Sequence, residues 1–446
     1  MSDTSSLAFP RLRISIFMFL QFFMWGAWFA TLGQVLGSNG LGQFGADSYG
    51  AAPLGAMIAP LFLGLIADRF FSSQKVLGVL FLIAGGALFF AWLAAEKEAG
   101  TTMVWMLRLH MFAFMPTLAL GNTVAFSHLD AVAFPKARVW GTIGWVISGF
   151  VVGSLAWSSE LKVMPLAGAT AIILGIFSFF LPKTPPPAAG QEVKLSSLLM
   201  FDAWALFKKP AFAVFMLSSA ALCIPLAYYF AQTSNYLSNL GFHQPSVTMA
   251  LGQVSEIFFM LLIPFFFRRL GVKGMVLIAM GCWVLRYLLF SFGAPDQTIA
   301  MVFVGILLHG ICYDFFFVTG FMYAEKSVPE KVRGQAQSLL VFMTQGLGMY
   351  FGYKVAYGKV ANVSGYAPLN EAVLAAGDER KLSFWEQQAQ MFRVGIPEGI
   401  DESLISTAMG QWKDYWFFPA ILAGGVAIIF AVAFWDKAAD ESKKSK

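Results

Sequence analysis

Two polar side chains stand three residues apart in the middle of a membrane-length apolar run, Gln253 and Glu256 in VTMALGQVSEIFFMLLIPFFFRR (Val247 to Arg269). Residues at that spacing share one face of a helix, so the amide and the carboxylate point the same way. An amide donates and accepts hydrogen bonds together, which suits a base edge or a sugar, and a carboxylate accepts from hydroxyls. An ionised carboxylate in hydrocarbon costs about 2.5 kcal/mol or more on insertion scales, so such residues face a polar cavity or a partner. The stretch reads as one wall of a binding site.

Other polar groups lie in comparable surroundings. Arg108 and His110 fall in MVWMLRLHMFAFMP, where Arg108 either pairs with an intramembrane acid or snorkels to an interface. Trp25 and Trp28 line a cavity or, in better keeping with tryptophan usage, serve packing and interface anchoring. Cys223, Cys282 and Cys312 sit in apolar runs with no ligand pattern around them and read as small core residues. With no nucleotide-binding loop, zinc-ligand spacing or nucleophile elbow, the sequence argues against an enzyme and calls for no cofactor and no metal.

The elements that position these groups follow from composition. Of 446 residues, 58% are hydrophobic and 12% are charged, against about 25% charged in soluble proteins. The expectation is an all-α integral membrane protein. Apolar runs fall at about 14–36, 50–67, 76–94, 103–125, 139–157 and 164–181, and then at 211–237, 247–267, 275–292, 299–323, 335–357 and 415–435. Each is near the length of a bilayer crossing, which predicts twelve transmembrane helices in two sets of six. The first run follows Arg11 and Arg13, lacks a convincing cleavage pattern and reads as a retained signal anchor.

The predicted organisation is an N-terminal half over 1–182, a linker over 183–209 and a C-terminal half over 210–446 that includes a long polar loop at 358–411. The linker opens on Pro185 to Pro187, a semi-rigid spacer, and SSLLMFDAWALFKK has the apolar face and basic end of a surface helix. Lys and Arg crowd the segments on one side, whereas the short loops of the other hold only Lys97 and Lys162. That asymmetry predicts both termini in the cytoplasm and explains the net charge of +5 without nucleic acid as a partner. The loop at 358–411 then lies outside, and its FWEQQAQMF stretch is either a short helix capping the outer mouth or part of a surface insertion with no role in transport.

Segments two and eight end alike, in PLFLGLIADRFFSSQKV and IPFFFRRLGVKGMV, each with a proline, a basic turn and a new apolar run. Two equivalent six-helix halves are the plan of the major facilitator fold. GLIADRF, Gly64 to Phe70, resembles the loop motif of those transporters, which implies a gating role for Asp68 and Arg69 on the cytoplasmic side. The glycines of GTIG (Gly141, Gly144) and QGLGMYFG (Gly346, Gly348, Gly352) allow close helix contact.

A closer resemblance runs through LQFFMWGAWFATLG, FMPTLALGNT, ARVWGTIGW, DAWALFKKP, GQVSEIFFMLLIPFFFRRLGVKGM and YDFFFVTG with EKSVPEKVRGQAQ, in that order. Together these resemble the bacterial nucleoside:proton symporter family of the major facilitators. The resemblance implies substrate contacts at Arg138 and Thr142 with Trp145 near them, at Gln253 and Glu256, and at Asp314 preceded by Tyr313. His309 stands where that family has an aromatic residue, and Gln232 with Asn235 matches its paired amides, with Tyr228 and Tyr229 adding stacking surface. His309 is a substrate ligand, a proton relay or a satisfied core histidine.

Coupling needs a group that takes and releases a proton, and Asp314, Glu256 or both are expected to do so. The implied function is import of nucleosides with protons across the inner membrane, by alternating access of two rocking halves around a central site. The alternatives are a symporter for a sugar or another small polar solute, and a membrane sensor that binds without moving its ligand. The expected partners are that solute, the proton and the lipid bilayer.

Overall fold

In lipid a spanning backbone finds no water, so a long apolar run has to satisfy its amides and carbonyls internally, as a helix. The computed structural model describes residues 4–62, 70–130, 133–186, 199–378 and 383–435, and these are almost entirely helical. Among the described residues, seven helical stretches are long and apolar enough to cross a membrane, and one of them holds two of the expected segments. Most described residues of the twelve apolar runs lie in one helix or in consecutive helical pieces. The chain divides into two compact units, Met1–Leu198 and Leu199–Lys446.

In the first unit, α1 (Thr4–Phe29) breaks for two residues and resumes as α2 (Leu32–Ser38). It is followed by α3 (Gly45–Phe62), α4 (Ser73–Glu96), α5 (Gly100–His128), α6 (Ala133–Ser154) and α7 (Val163–Ser178). α6 runs against α1 because glycine removes the side chain at the crossing. A Cβ on Gly144 would overlap the Phe19 carbonyl, and one on Gly26 would overlap Ser148. Gly85 and Gly168 do the same between α4 and α7. Asp68 and Arg69 lie outside the described residues.

In the second unit, α8 (Phe201–Ala205) and one 3₁₀ turn (Leu206–Lys208) lead into α9 (Pro210–Asn239). The long α10 (Pro245–Gly293) is two arms joined at Gly271, whose φ of 63° lies in the left-handed region that glycine tolerates. Then come α11 (Ile299–Leu307) and α12 (His309–Lys326), separated by Leu308 alone. α13 (Arg333–Val341) passes through a π-helical turn (Phe342–Gly348) into α14 (Met349–Val360). Gly348 and Gly352 bring this stretch onto Ala220, Ile224 and Ala227 of α9. The unit ends with α15 (Tyr366–Asp378), α16 (Phe384–Gln390) and α17 (Glu402–Ala433).

Two expectations change at the level of local structure. The surface helix expected over SSLLMFDAWALFKK is, among its described residues, the five residues of α8 and a 3₁₀ turn. The polar loop expected over 358–411 is shorter and largely ordered: α14 continues to Val360 and α17 already begins at Glu402. Hydropathy marks where lipid would lie, whereas helices continue into water until a cap stops them. Asp401 supplies such a cap, its Oδ1 accepting the Ser403 N–H at 2.8 Å.

The connection between α14 and α17 is tied to the end of α9. Ser238 Oγ donates to Asn370 Oδ1 at 2.7 Å, Asn239 Nδ2 to the Tyr366 carbonyl at 3.2 Å, and Trp412 Nε1 to Asn239 Oδ1 at 2.8 Å. Phe242 and Val394 form an antiparallel bridge. The FWEQQAQ stretch is helical, held by a reciprocal cap between Ser383 and Glu386.

Candidate functional site

The polar residues of the second unit gather where α10 and α12 touch. Gly252 and Gly310 permit the approach: a Cβ on Gly310 would overlap the backbone of Ser255, and one on Gly252 would press on Ile306 and His309. Ser255 Oγ stitches the two helices, donating to the Gly252 carbonyl at 2.6 Å and accepting the Gly310 N–H at 3.0 Å. This register sets Gln253 opposite His309, with 3.3 Å between the amide nitrogen and imidazole Nε2. The amide nitrogen can only donate, so with this assignment His309 accepts at Nε2 and carries its proton on Nδ1.

From His309 a column of rings extends both ways. Tyr229 of α9 stacks on it at 5.1 Å and 24°, and Tyr313, one turn along α12, at 5.7 Å and 23°. Phe317 continues the column at 4.6 Å from Tyr313. Asp314 is buried beside it with Oδ2 lacking a hydrogen-bond partner, and the half-buried Glu256 is close enough for the two carboxylates to repel each other.

On α9, Asn235 Nδ2 donates to Gln232 Oε1 at 2.8 Å. The paired amides are left with one donor and one acceptor free, Gln232 Nε2 and Asn235 Oδ1. Gln253 Oε1, His309 Nδ1 and the Tyr229 hydroxyl are also buried without a partner. Leaving a buried polar atom unsatisfied costs about 1–3 kcal/mol, so a ligand that supplies the missing partners recovers that energy on binding.

The first unit carries its candidates on α6. Arg138 lays its guanidinium over the Phe22 ring of α1 at 4.3 Å, Thr142 follows one turn later, and Trp145 meets Trp25 edge-on at 5.3 Å. All three are half-buried. Deeper in the unit, His110 contacts Trp28 edge-on at 5.3 Å and the Ala84 carbonyl through Nδ1 at 2.9 Å. Arg108 pairs with the half-exposed Asp47, in the first turn of α3, at 3.3 Å and lies over Trp105.

The sequence model of the family described as nucleoside H+ symporter matches residues 10–370. YegT of Escherichia coli is 34% identical over 437 residues, spanning 95% of this chain and 93% of that one. A xanthosine permease of the same organism is 32% identical over 361 residues, 76% and 85% of the two chains. The crystal structure of the nucleoside transporter NupG superposes with a TM-score of 0.75 at 27% identity, covering 96% of this chain and all of that one. The chain belongs to the nucleoside H+ symporter family. It is a multi-pass membrane transporter of major facilitator fold that moves nucleosides with protons, and it is not an enzyme.

For a symporter of this family, the geometry brings Gln253, His309 and Tyr313 together, sets Glu256 near Asp314 and pairs Gln232 with Asn235. Sequence reasoning left out Arg286. It lies fully buried in the second arm of α10, donating from Nε to the Gly305 carbonyl at 3.0 Å and covering the Tyr229 ring at 4.5 Å. The signal was present: GCWVLRYLLF holds a single arginine inside an apolar run, and such a residue marks function by default.

Proposed function

We propose that this symporter imports nucleosides across the inner membrane by alternating access, with both termini in the cytoplasm. In this reading Gln253, His309 and Tyr313, with Gln232 and Asn235, hold the nucleoside in the C-terminal half. Amides and imidazole take its polar edges, and the tyrosine covers an apolar face. Arg138, Thr142 and Trp145 offer a second set in the N-terminal half, and Asp68 with Arg69 gates the cytoplasmic side. The division into halves at 1–182 and 210–446, joined by a linker, supplies the two moving bodies.

Asp314 and Glu256 bind the coupled proton as a pair. Their repulsion is relieved when one of them is protonated, and the protonated carboxyl gains a donor that a ribose hydroxyl or base carbonyl accepts. Proton binding thereby favours substrate binding, and release of the proton favours release of the substrate.

The observation that carries this reading is the concentration of unpartnered hydrogen-bonding atoms on Gln232, Asn235, Gln253, His309 and Asp314, on three helices of one unit. The test is uptake of labelled uridine and adenosine, against a panel of sugars, into vesicles with and without an inward proton gradient. Nucleoside accumulation that collapses with the gradient is expected. Saturable sugar uptake without nucleoside uptake would sink the reading, and label bound but never internal would mark a sensor.

A further inference from the structure

Tyr229 and Arg286 form a buried pair that the coupling scheme does not use. Both are wholly inaccessible to solvent. The guanidinium covers the phenol ring at 4.5 Å, while His309 stacks on that ring at 5.1 Å. Arg286 spends Nε on the Gly305 carbonyl, and neither terminal nitrogen meets hydrogen-bond geometry with a described residue. The Tyr287 hydroxyl donates to the Pro225 carbonyl at 2.5 Å and lies within reach of the guanidinium as an acceptor. Among the described residues, no carboxylate forms an ion pair with Arg286. With no carboxylate to neutralise it, its positive charge bears on the Tyr229 ring, and a cation against a phenol draws electron density from it and strengthens its O–H as a donor.

That O–H has no partner, although buried tyrosine hydroxyls nearly always find one. It lies against Gly252, where a Cβ would sit 3.4 Å from the hydroxyl oxygen and 3.2 Å from His309 Cβ. Gln253 is the next residue. Three helices thus bring together, through the contacts of His309 with Tyr229 and with Gln253, three residues that each keep an unsatisfied atom: the Tyr229 hydroxyl from α9, Gln253 Oε1 from α10 and His309 Nδ1 from α12. With the Gln253 amide donating to His309 Nε2, the orientation assigned to it, they offer a donor, an acceptor and a donor. The complement is acceptor, donor, acceptor, which is the imide edge O=C–NH–C=O of a dioxopyrimidine or a 2,6-dioxopurine. Cytosine and adenine, with an amino group and an unprotonated ring nitrogen, present the wrong order.

We propose that Tyr229, Gln253 and His309 read the imide edge of the nucleobase, making this symporter selective for imide nucleosides, and that Arg286 is a positioning residue that holds and polarises Tyr229. The proposal rests on the reading of Gln253 and His309 as substrate ligands.

The test is equilibrium binding of labelled uridine, cytidine and N3-methyluridine to the purified full chain in lipid nanodiscs. Uridine should bind about fivefold or more tightly than either of the others, the lower end of what a mismatched buried hydrogen bond costs. Tyr229→Phe should remove most of this preference. Arg286→Gln should weaken uridine binding in the wild-type background and add nothing to Tyr229→Phe, and Arg286→Lys should restore part of the loss. Equal affinity for uridine and cytidine, or an unchanged ratio in Tyr229→Phe, would overturn the proposal. If Arg286→Gln fails to yield folded protein, Tyr229→Phe alone decides. A Gln253→Ala variant separates the two levels. If it binds uridine like wild type, the underlying site assignment fails. If it loses binding while Tyr229→Phe keeps the ratio, only the imide inference fails.

Discussion

The two units treat buried polarity differently. In the first, Gln21 Nε2 donates to Thr117 Oγ1 at 3.0 Å, His110 meets the Ala84 carbonyl, and the charged pair Arg108–Asp47 is only half-buried. No Asp, Glu, Lys or Arg among its described residues is fully buried. In the second, Arg286 and Asp314 are buried with unpartnered atoms, alongside the free atoms of Gln253, His309, Gln232 and Asn235. A low-dielectric interior punishes buried unpaired charge far more than buried unpaired neutral groups. The second unit therefore holds the buried charged chemistry, whereas the first, among its described residues, leaves only neutral side chains such as Thr31, Gln34, Ser48 and His110 fully buried with an unpartnered atom.

The strongest way to break that asymmetry is to remove its acid. An imposed gradient of about 2 pH units supports up to about hundredfold accumulation at one proton per nucleoside, each tenfold step being worth about 1.4 kcal/mol. Asp314→Asn should abolish this accumulation in proteoliposomes and leave downhill exchange, whereas His110→Ala in the first unit should keep it. Accumulation that survives in Asp314→Asn would show that coupling does not reside there.

Glycine contacts sharpen the comparison. Gly310→Val drives α12 off α10, and Gly144→Val drives α6 off α1, because each added side chain meets backbone. Each should cost about 1–3 kcal/mol, measured as a fall in thermal midpoint. Only the Gly310 change should also cut nucleoside affinity, since it alone separates Gln253 from His309. An equal loss of affinity in both would argue for general loosening.

Arg138→Gln should have a smaller effect. Losing the guanidinium from the Phe22 ring is worth about 0.5–2 kcal/mol, so KM should rise several-fold with the accumulation ratio unchanged. Loss of accumulation would extend the coupling chemistry into the first unit.

The smallest effect is expected at Asp401. Its carboxylate accepts hydrogen bonds from Ser403, which hold its pKa below the usual aspartate value. A depressed folded pKa means that the cap stabilises at and above the unfolded value and is lost as pH falls through the folded one. Protection of the Ser403 amide against exchange, corrected for its intrinsic rate, should drop below roughly pH 4. Asp401→Ala should show the reduced protection at neutral pH with normal uptake.

How much was legible varies with the kind of residue. Gln253, Glu256 and Asp314 stand out because each interrupts an apolar run at a transfer cost that only a site or a partner offsets. Arg286 interrupts one equally well, but its meaning depends on Tyr229 lying beneath it, 57 positions earlier in the chain. Arg108 was legible only as a choice between a partner and an interface, because Asp47 belongs to another helix. The helical pieces of the 361–401 connection hold through contacts such as Ser238 to Asn370, which no local periodicity announces.

The amino-acid order by itself determined that the chain crosses a membrane as helices, where the apolar runs lie and which polar residues are stranded inside them. Those properties depend on transfer free energy, which sums along the chain. Only the tertiary structure decided which stranded atoms find partners. Glycines at 252 and 310 set the register of α10 against α12, and that register satisfies Ser255 while it leaves Gln253, His309 and Tyr229 each with one atom waiting. Hydrogen bonding is short-ranged and directional, so its balance is settled between helices and cannot be read along one.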